Sequence, residues 1–93
     1  MQIKVNSGNA FEADLAMDIE SRQGRQQLII QFPKDTAIEA IMANLVGAAH
    51  IEAIKGNGVR TVYEGYTKFR SLNATPDVEY LRLTLEKGDV ANG

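Results

Sequence analysis

In the stretch Phe11-Glu12-Ala13-Asp14-Leu15-Ala16-Met17-Asp18-Ile19, the apolar residues Phe11, Ala13, Leu15, Met17 and Ile19 alternate with Glu12, Asp14, Ala16 and Asp18. Successive side chains of a strand point to opposite faces, so this spacing predicts a one-sided strand of antiparallel type, with the apolar set inward and the acids in water. Upstream, Ile3 and Val5 precede it across Asn6-Ser7-Gly8-Asn9. Downstream, Ser21-Arg22-Gln23-Gly24 separates it from Leu28, Ile30 and Phe32. These segments read as three consecutive strands joined by turns.

Pro33 ends the third strand, because it lacks a ladder donor and holds Phe32 extended. A helix is expected over residues 36–46. Thr36 and Glu39 have capping-box spacing, with Asp35 as a rival N-cap. Ile38, Ile41, Met42, Leu45 and Val46 form one apolar stripe, and Gly47 supplies the stop. Beyond it, residues 51–55 and 59–63 flank Gly56-Asn57-Gly58, a hairpin signal with two open registers. An Asn57-Gly58 loop sets Lys55 opposite Arg60, whereas a Gly56-Asn57 loop sets Ile54 opposite Val59 and Ile51 opposite Val62. Gly65 interrupts the following strand pattern and predicts a bulge or sharp bend. After a turn at Ala74-Thr75-Pro76-Asp77, Leu81, Leu83 and Leu85 alternate with Arg82, Thr84 and Glu86 in a last one-sided strand. The sequence contains no visible internal repeat.

The expected fold class is therefore α+β: a mostly antiparallel sheet of about six strands, order βββαβββ, with one amphipathic helix packed on one face. One domain is expected over residues 1–87, with a flexible C-terminal tail over residues 88–93.

Composition narrows the function. The 93 residues are 44% hydrophobic and 24% charged, which is ordinary for a globular chain. Cysteine is absent, which removes disulfide scaffolds, thiolate catalysis and Cys-based metal centres. No apolar run approaches the roughly 18 residues of a membrane span, and the start lacks the apolar core of a signal peptide, so a cytoplasmic protein is expected. A formal net charge of −2 gives no global attraction to nucleic acid or an anionic membrane.

No catalytic constellation emerges. His50 has no partner at metal-ligand spacing and reads as a loop histidine near the negative end of the helix. Ser7, Ser21 and Ser71 lack a nucleophile-elbow context. Glu12, Asp14, Asp18 and Glu20 share one strand parity and suggest a cation site or a carboxylate pair, but a solvated strand face accounts for them more simply. Gly56-Asn57-Gly58 precedes a strand where phosphate-binding loops require a helix. Neither an enzyme, a cofactor nor a metal is expected. Arg60, Tyr63, Tyr66, Lys68 and Arg70, with Phe69 between them, concentrate aromatic and basic side chains. That mixture suits a protein interface better than nucleic acid in an acidic chain, with Phe69 and one tyrosine expected to fill core.

The segments Tyr63-Glu64-Gly65-Tyr66-Thr67-Lys68-Phe69 and Glu79-Tyr80-Leu81-Arg82-Leu83-Thr84-Leu85-Glu86, following a short helix, resemble small proteins encoded in phages and prophages of Gram-positive bacteria. The resemblance implies a phage context: a virion or assembly component, or a protein that disarms the host. The function expected from it is a phage-associated protein–protein interaction module, a small structural or assembly accessory in the bacterial cytoplasm or the virion. Its interaction surface would include Arg60, Tyr63, Tyr66, Lys68 and Arg70. The alternative is an anti-defence inhibitor that binds a host nuclease or sequesters a signalling nucleotide. The partner is thus expected to be a phage structural or host defence protein, with homo-oligomerisation compatible and neither nucleic acid nor membrane expected.

Overall fold

The alternation that begins at Phe11 makes extended chain, yet not a single strand. A computed structural model describes residues 1–5, 9–74 and 79–88. Its elements run β1 (Gln2–Val5), β2 (Asn9–Glu12), β3 (Leu15–Glu20), β4 (Gln26–Pro33), α1 (Ile38–Asn44), β5 (His50–Ile54), β6 (Arg60–Glu64), β7 (Lys68–Ala74) and β8 (Tyr80–Glu86). The strands form two four-stranded sheets, ordered β2-β1-β5-β6 and β3-β4-β8-β7, and every pairing is antiparallel. The antiparallel α+β character matches expectation. The strand count and order do not: eight strands in two sheets, ββββαββββ, replace about six in one sheet.

Two bends account for the difference. Ala13 N–H donates to Met1 O in the first sheet at 2.9 Å, and Asp14 N–H donates to Gln31 O in the second at 2.8 Å. The chain therefore changes sheets between adjacent residues, as strands do at the corners of crossed-sheet packings. Gly65 makes the second corner at φ +83°, a left-handed conformation that glycine adopts without strain. Its N–H donates to Ala49 O at 3.0 Å, and its carbonyl accepts from Gly88 N–H at 2.8 Å, so it ties the first sheet to the end of β8.

The first corner also reverses which residues face the core. In β2, Phe11 lies opposite the buried Ile3, so odd residues point inward. In β3, Ala16 lies opposite Ile30 and Asp18 opposite Leu28, both fully buried, so even residues take the inner side. Leu15, Met17 and Ile19 consequently face outward and are 36–42% exposed, contrary to the inward placement predicted by their alternation.

Both sheets share one core. Ile3, Val5, Ile51 and Ala53 of the first meet Leu28, Ile30, Phe32, Leu81, Leu83 and Leu85 of the second, with Ile41 and Leu45 from the helical segment. The helix is shorter than predicted, at Ile38–Asn44, and its N-cap is Ala37 with no side-chain cap bond. Thr36 lies one residue before the cap, in a turn where its N–H donates to Pro33 O at 3.0 Å, while Ala37 O accepts the first helical bond from Ile41 N–H at 3.2 Å. Of the predicted stripe, Ile41 and Leu45 are buried, Val46 is half-buried, and Ile38 and Met42 are exposed. Gly47 stops the helix at φ +85°.

The β5–β6 hairpin takes neither anticipated register. Lys55 N–H donates to Val59 O, Ile54 pairs with Arg60 and Ile51 with Tyr63, around a three-residue loop whose last residue, Gly58, has φ +87°. The β3–β4 turn follows the same plan: Ser21 N–H donates to Arg25 O, and Gly24 has φ +77°. The turns expected at Asn6-Ser7-Gly8 and Thr75-Pro76-Asp77, and the tail beyond Gly88, lie outside the described residues.

Although the sequence has no visible repeat, the topology does. Exchanging β1 with β5, β2 with β6, β3 with β7 and β4 with β8 leaves both strand orders unchanged. The corner bond from Ala13 to Met1 then superposes in register on that from Gly65 to Ala49. Each half is a strand, a bent strand and a strand, and the halves join through the β1–β5 and β4–β8 pairs.

Candidate functional site

β3 and β6 are outermost strands of different sheets, and an open cleft of about 550 Å³ lies between them. Asp18 lines it from β3 and Thr61, Val62, Tyr63 and Glu64 from β6; Gln26, Tyr66 and Lys87 complete it. Tyr63 is turned inward by its pairing with buried Ile51, and Tyr66 follows the Gly65 corner. Their rings meet edge to face, centroids 6.2 Å apart at 77°. Lys87 Nζ stands 5.6 Å from the centre of the Tyr66 ring and donates to Gln26 Oε1 at 3.3 Å. Burial first, and the negative charge of Asp18 second, push both phenols above the usual tyrosine range; for Tyr66 the neighbouring Tyr63 adds to this. The phenols therefore stay protonated as donors near neutral pH.

A second, smaller hollow of about 320 Å³ is lined by Gln23, Arg25, Arg70 and Glu86. Glu86 is 4% exposed, yet it accepts from Arg25 Nη1 at 2.9 Å and Gln27 Nε2 at 3.3 Å, with Arg70 Nε at 3.6 Å. Hydrogen bonds from Arg25 and then Gln27 hold its carboxyl below the usual glutamate range, against the opposing effect of burial. The cluster neutralises a buried carboxylate and joins the β7 edge to the β3–β4 turn.

The interaction surface read from the sequence is thus divided. Tyr63 and Tyr66 meet in the first cleft as buried rings, and Arg70 lines the second hollow. Arg60 lies beside Glu52, 3.6 Å away, and Lys68 stands at the start of β7 opposite Glu86. Phe69, expected to fill core, is 42% exposed. The four acids do not share a face. Glu12 pairs with the N-terminal ammonium at 3.3 Å on the first sheet, Asp14 sits at the corner, and Asp18 and Glu20 belong to the second sheet. His50 begins β5 and places Nδ1 3.4 Å from Glu64 across the hairpin. Ser21 Oγ accepts from Arg25 N–H within its turn, and Ser71 lies in β7 beside a bulge.

Sequence reasoning missed the surface that stands out most. Leu15, Met17 and Ile19 form an apolar row on the outer face of the edge strand β3, with half-buried Ile29 directly opposite Met17. The Ser21–Arg25 bond fixes the hydrogen-bonding phase, so the odd residues of β3 bond to β4. The backbone groups of Ala16, Asp18 and Glu20 therefore point to the open edge. A sequence signal for this row existed in the alternation itself, but alternation does not say which side is inside.

Among the described residues, no group of three His, Cys, Asp or Glu side chains is placed to hold a metal ion, and no helix is long and apolar enough to cross a membrane. Comparison of the chain with models of known protein families, with characterised proteins and with solved structures gives no match.

Proposed function

We propose that this chain is a protein–protein interaction module, a small structural or assembly accessory of phage origin, and that it docks its partner on the outer face of β3. The observation that supports the docking surface is the contiguous exposure of Leu15, Met17 and Ile19 on an edge strand. An exposed apolar row beside unpaired backbone groups is a surface that folded proteins normally blunt or use. The phage context rests on the resemblance carried by residues 63–69 and 79–86.

The test is capture from phage-infected cells with the wild type and with a Met17→Gln, Ile19→Gln double variant. Recovery of virion or assembly proteins by the wild type, lost in the double variant at unchanged melting temperature, supports the reading. Recovery of a host effector through the same residues transfers it to an anti-defence inhibitor. Equal capture by both forms removes the surface from consideration.

A further inference from the structure

The two edges of the second sheet differ in how they are guarded. β7 carries a register shift between Phe69 and Ser71, lysine and arginine at Lys68 and Arg70, and polar Ser71 and Asn73 on its outer side opposite Thr84 and Arg82. β3, its counterpart under the internal exchange of halves, pairs with β4 without interruption from Leu15 to Glu20 and contains neither proline nor lysine. Its outer side is Leu15, Met17 and Ile19. The same position in the fold is thus built with polar outer residues in one half and apolar ones in the other, so the architecture itself does not require the apolar row.

We propose that β3 receives an extended partner segment as the next strand of the second sheet, and that this segment alternates apolar residues with lysine or arginine. The inference rests on the reading of the chain as an interaction module and specifies what its docking surface takes. Strand addition supplies main-chain hydrogen bonds through the open-edge groups of Ala16, Asp18 and Glu20, and alternate side chains read the two faces. Beside Met17 and Ile19 the incoming strand meets an apolar surface. On the other face it meets Asp18, which has no hydrogen bond or ion pair among the described residues, and Glu20. The cleft's own cation, Lys87, is engaged with the Tyr66 ring and Gln26.

Charge also decides against the β3 edge of a second copy as the occupant, and the register shift between Phe69 and Ser71 interrupts the regular edge that a second copy's β7 would offer. An antiparallel copy centred on Asp18 sets Asp18 against Asp18. One centred on Ile19 sets Asp18 against Glu20. Like charges directly opposite each other weaken a strand pair, whereas a basic strand turns the same positions into favourable cross-strand pairs.

The experiment uses the full chain with two synthetic ten-residue peptides, one alternating valine with lysine and the other valine with glutamate. The lysine peptide is expected to bind and to slow hydrogen exchange at the amides of Ala16, Asp18 and Glu20. Asp18→Asn should weaken it. Asp18→Lys with Glu20→Lys, at unchanged melting temperature, should reverse the preference between peptides by about tenfold. Equal binding of both peptides, protection at Val62 and Glu64 in place of β3, or self-association of the chain through β3 overturns the proposal. Failure of the lysine peptide while Met17→Gln, Ile19→Gln still abolishes capture of the cellular partner removes the basic strand and leaves the interaction reading standing. Capture indifferent to that double variant removes the interaction reading itself.

Discussion

Ala13 and Asp14 are neighbours in the chain, yet their amides serve different sheets, Ala13 bonding to Met1 O and Asp14 to Gln31 O. Ala13 is 2% exposed at this crossing and belongs to the buried core. Ala13→Leu should therefore overpack the corner and cost about 1–3 kcal/mol in denaturant unfolding. Slow hydrogen exchange at both amides is expected even though the Asp14 side chain is exposed.

The helix separates buried from exposed apolar residues within the same predicted stripe. Ile41→Ala or Leu45→Ala should each cost about 2–5 kcal/mol, because both side chains are fully buried. Ile38→Ala and Met42→Ala should stay within about 0.5 kcal/mol of wild type. Equal losses at all four positions would show that the stripe is buried as a whole.

At the second corner the backbone and a lysine can be tested apart. A Cβ at Gly65 would lie 3.6 Å from Lys87 Cε, an ordinary contact, so the cost of Gly65→Ala comes from φ +83° and should be about 1–2 kcal/mol. Lys87→Met keeps the aliphatic stem and removes the ammonium from the Tyr66 ring, with an expected loss of about 0.5–1 kcal/mol.

The tyrosine pair predicts an alkaline limb in the stability profile. A folded-state phenol pKa raised above the unfolded value contributes stability that is complete below the unfolded pKa and is lost as pH rises through the folded one. Ultraviolet titration should resolve Tyr63 and Tyr66 above the usual range. Asp18→Asn should lower both without returning them to normal, because burial is the larger cause.

Glu86 predicts the opposite limb. Its lowered pKa contributes stability that is present above the unfolded carboxylate value and is lost as pH falls through the folded one. Thermal melts should show Glu86→Gln less stable than wild type at neutral pH, with a shallower fall in acid. An unchanged acid limb would mean that the Arg25 bond does not hold the carboxylate.

Much of the fold was legible because turns and alternation are local. Gly65 marked its corner, Gly47 its helix stop, and Leu81, Leu83 and Leu85 their buried face. The first corner carried no such mark. Ala13 bends without glycine, and the apolar odd residues continue through it in sequence while the inner side moves to even residues. The predicted cap was one residue early: the first helical bond runs from Ile41 N–H to Ala37 O, which leaves Thr36 in the preceding turn. The cleft was illegible for another reason. Asp18, the Tyr63–Tyr66 pair and Lys87 lie far apart in the chain, and only the folded arrangement of the two sheets brings them together.

The internal symmetry has a consequence for how such a chain can change. Every strand position exists twice, and a task outside the fold needs only one of the two. With β7 holding its bulge and its charges, the closure of the molecule is provided for on that side, and β3 is released to follow whatever it meets. The repeated plan amounts to spare capacity: one twin conserves the architecture while the other is free to diverge.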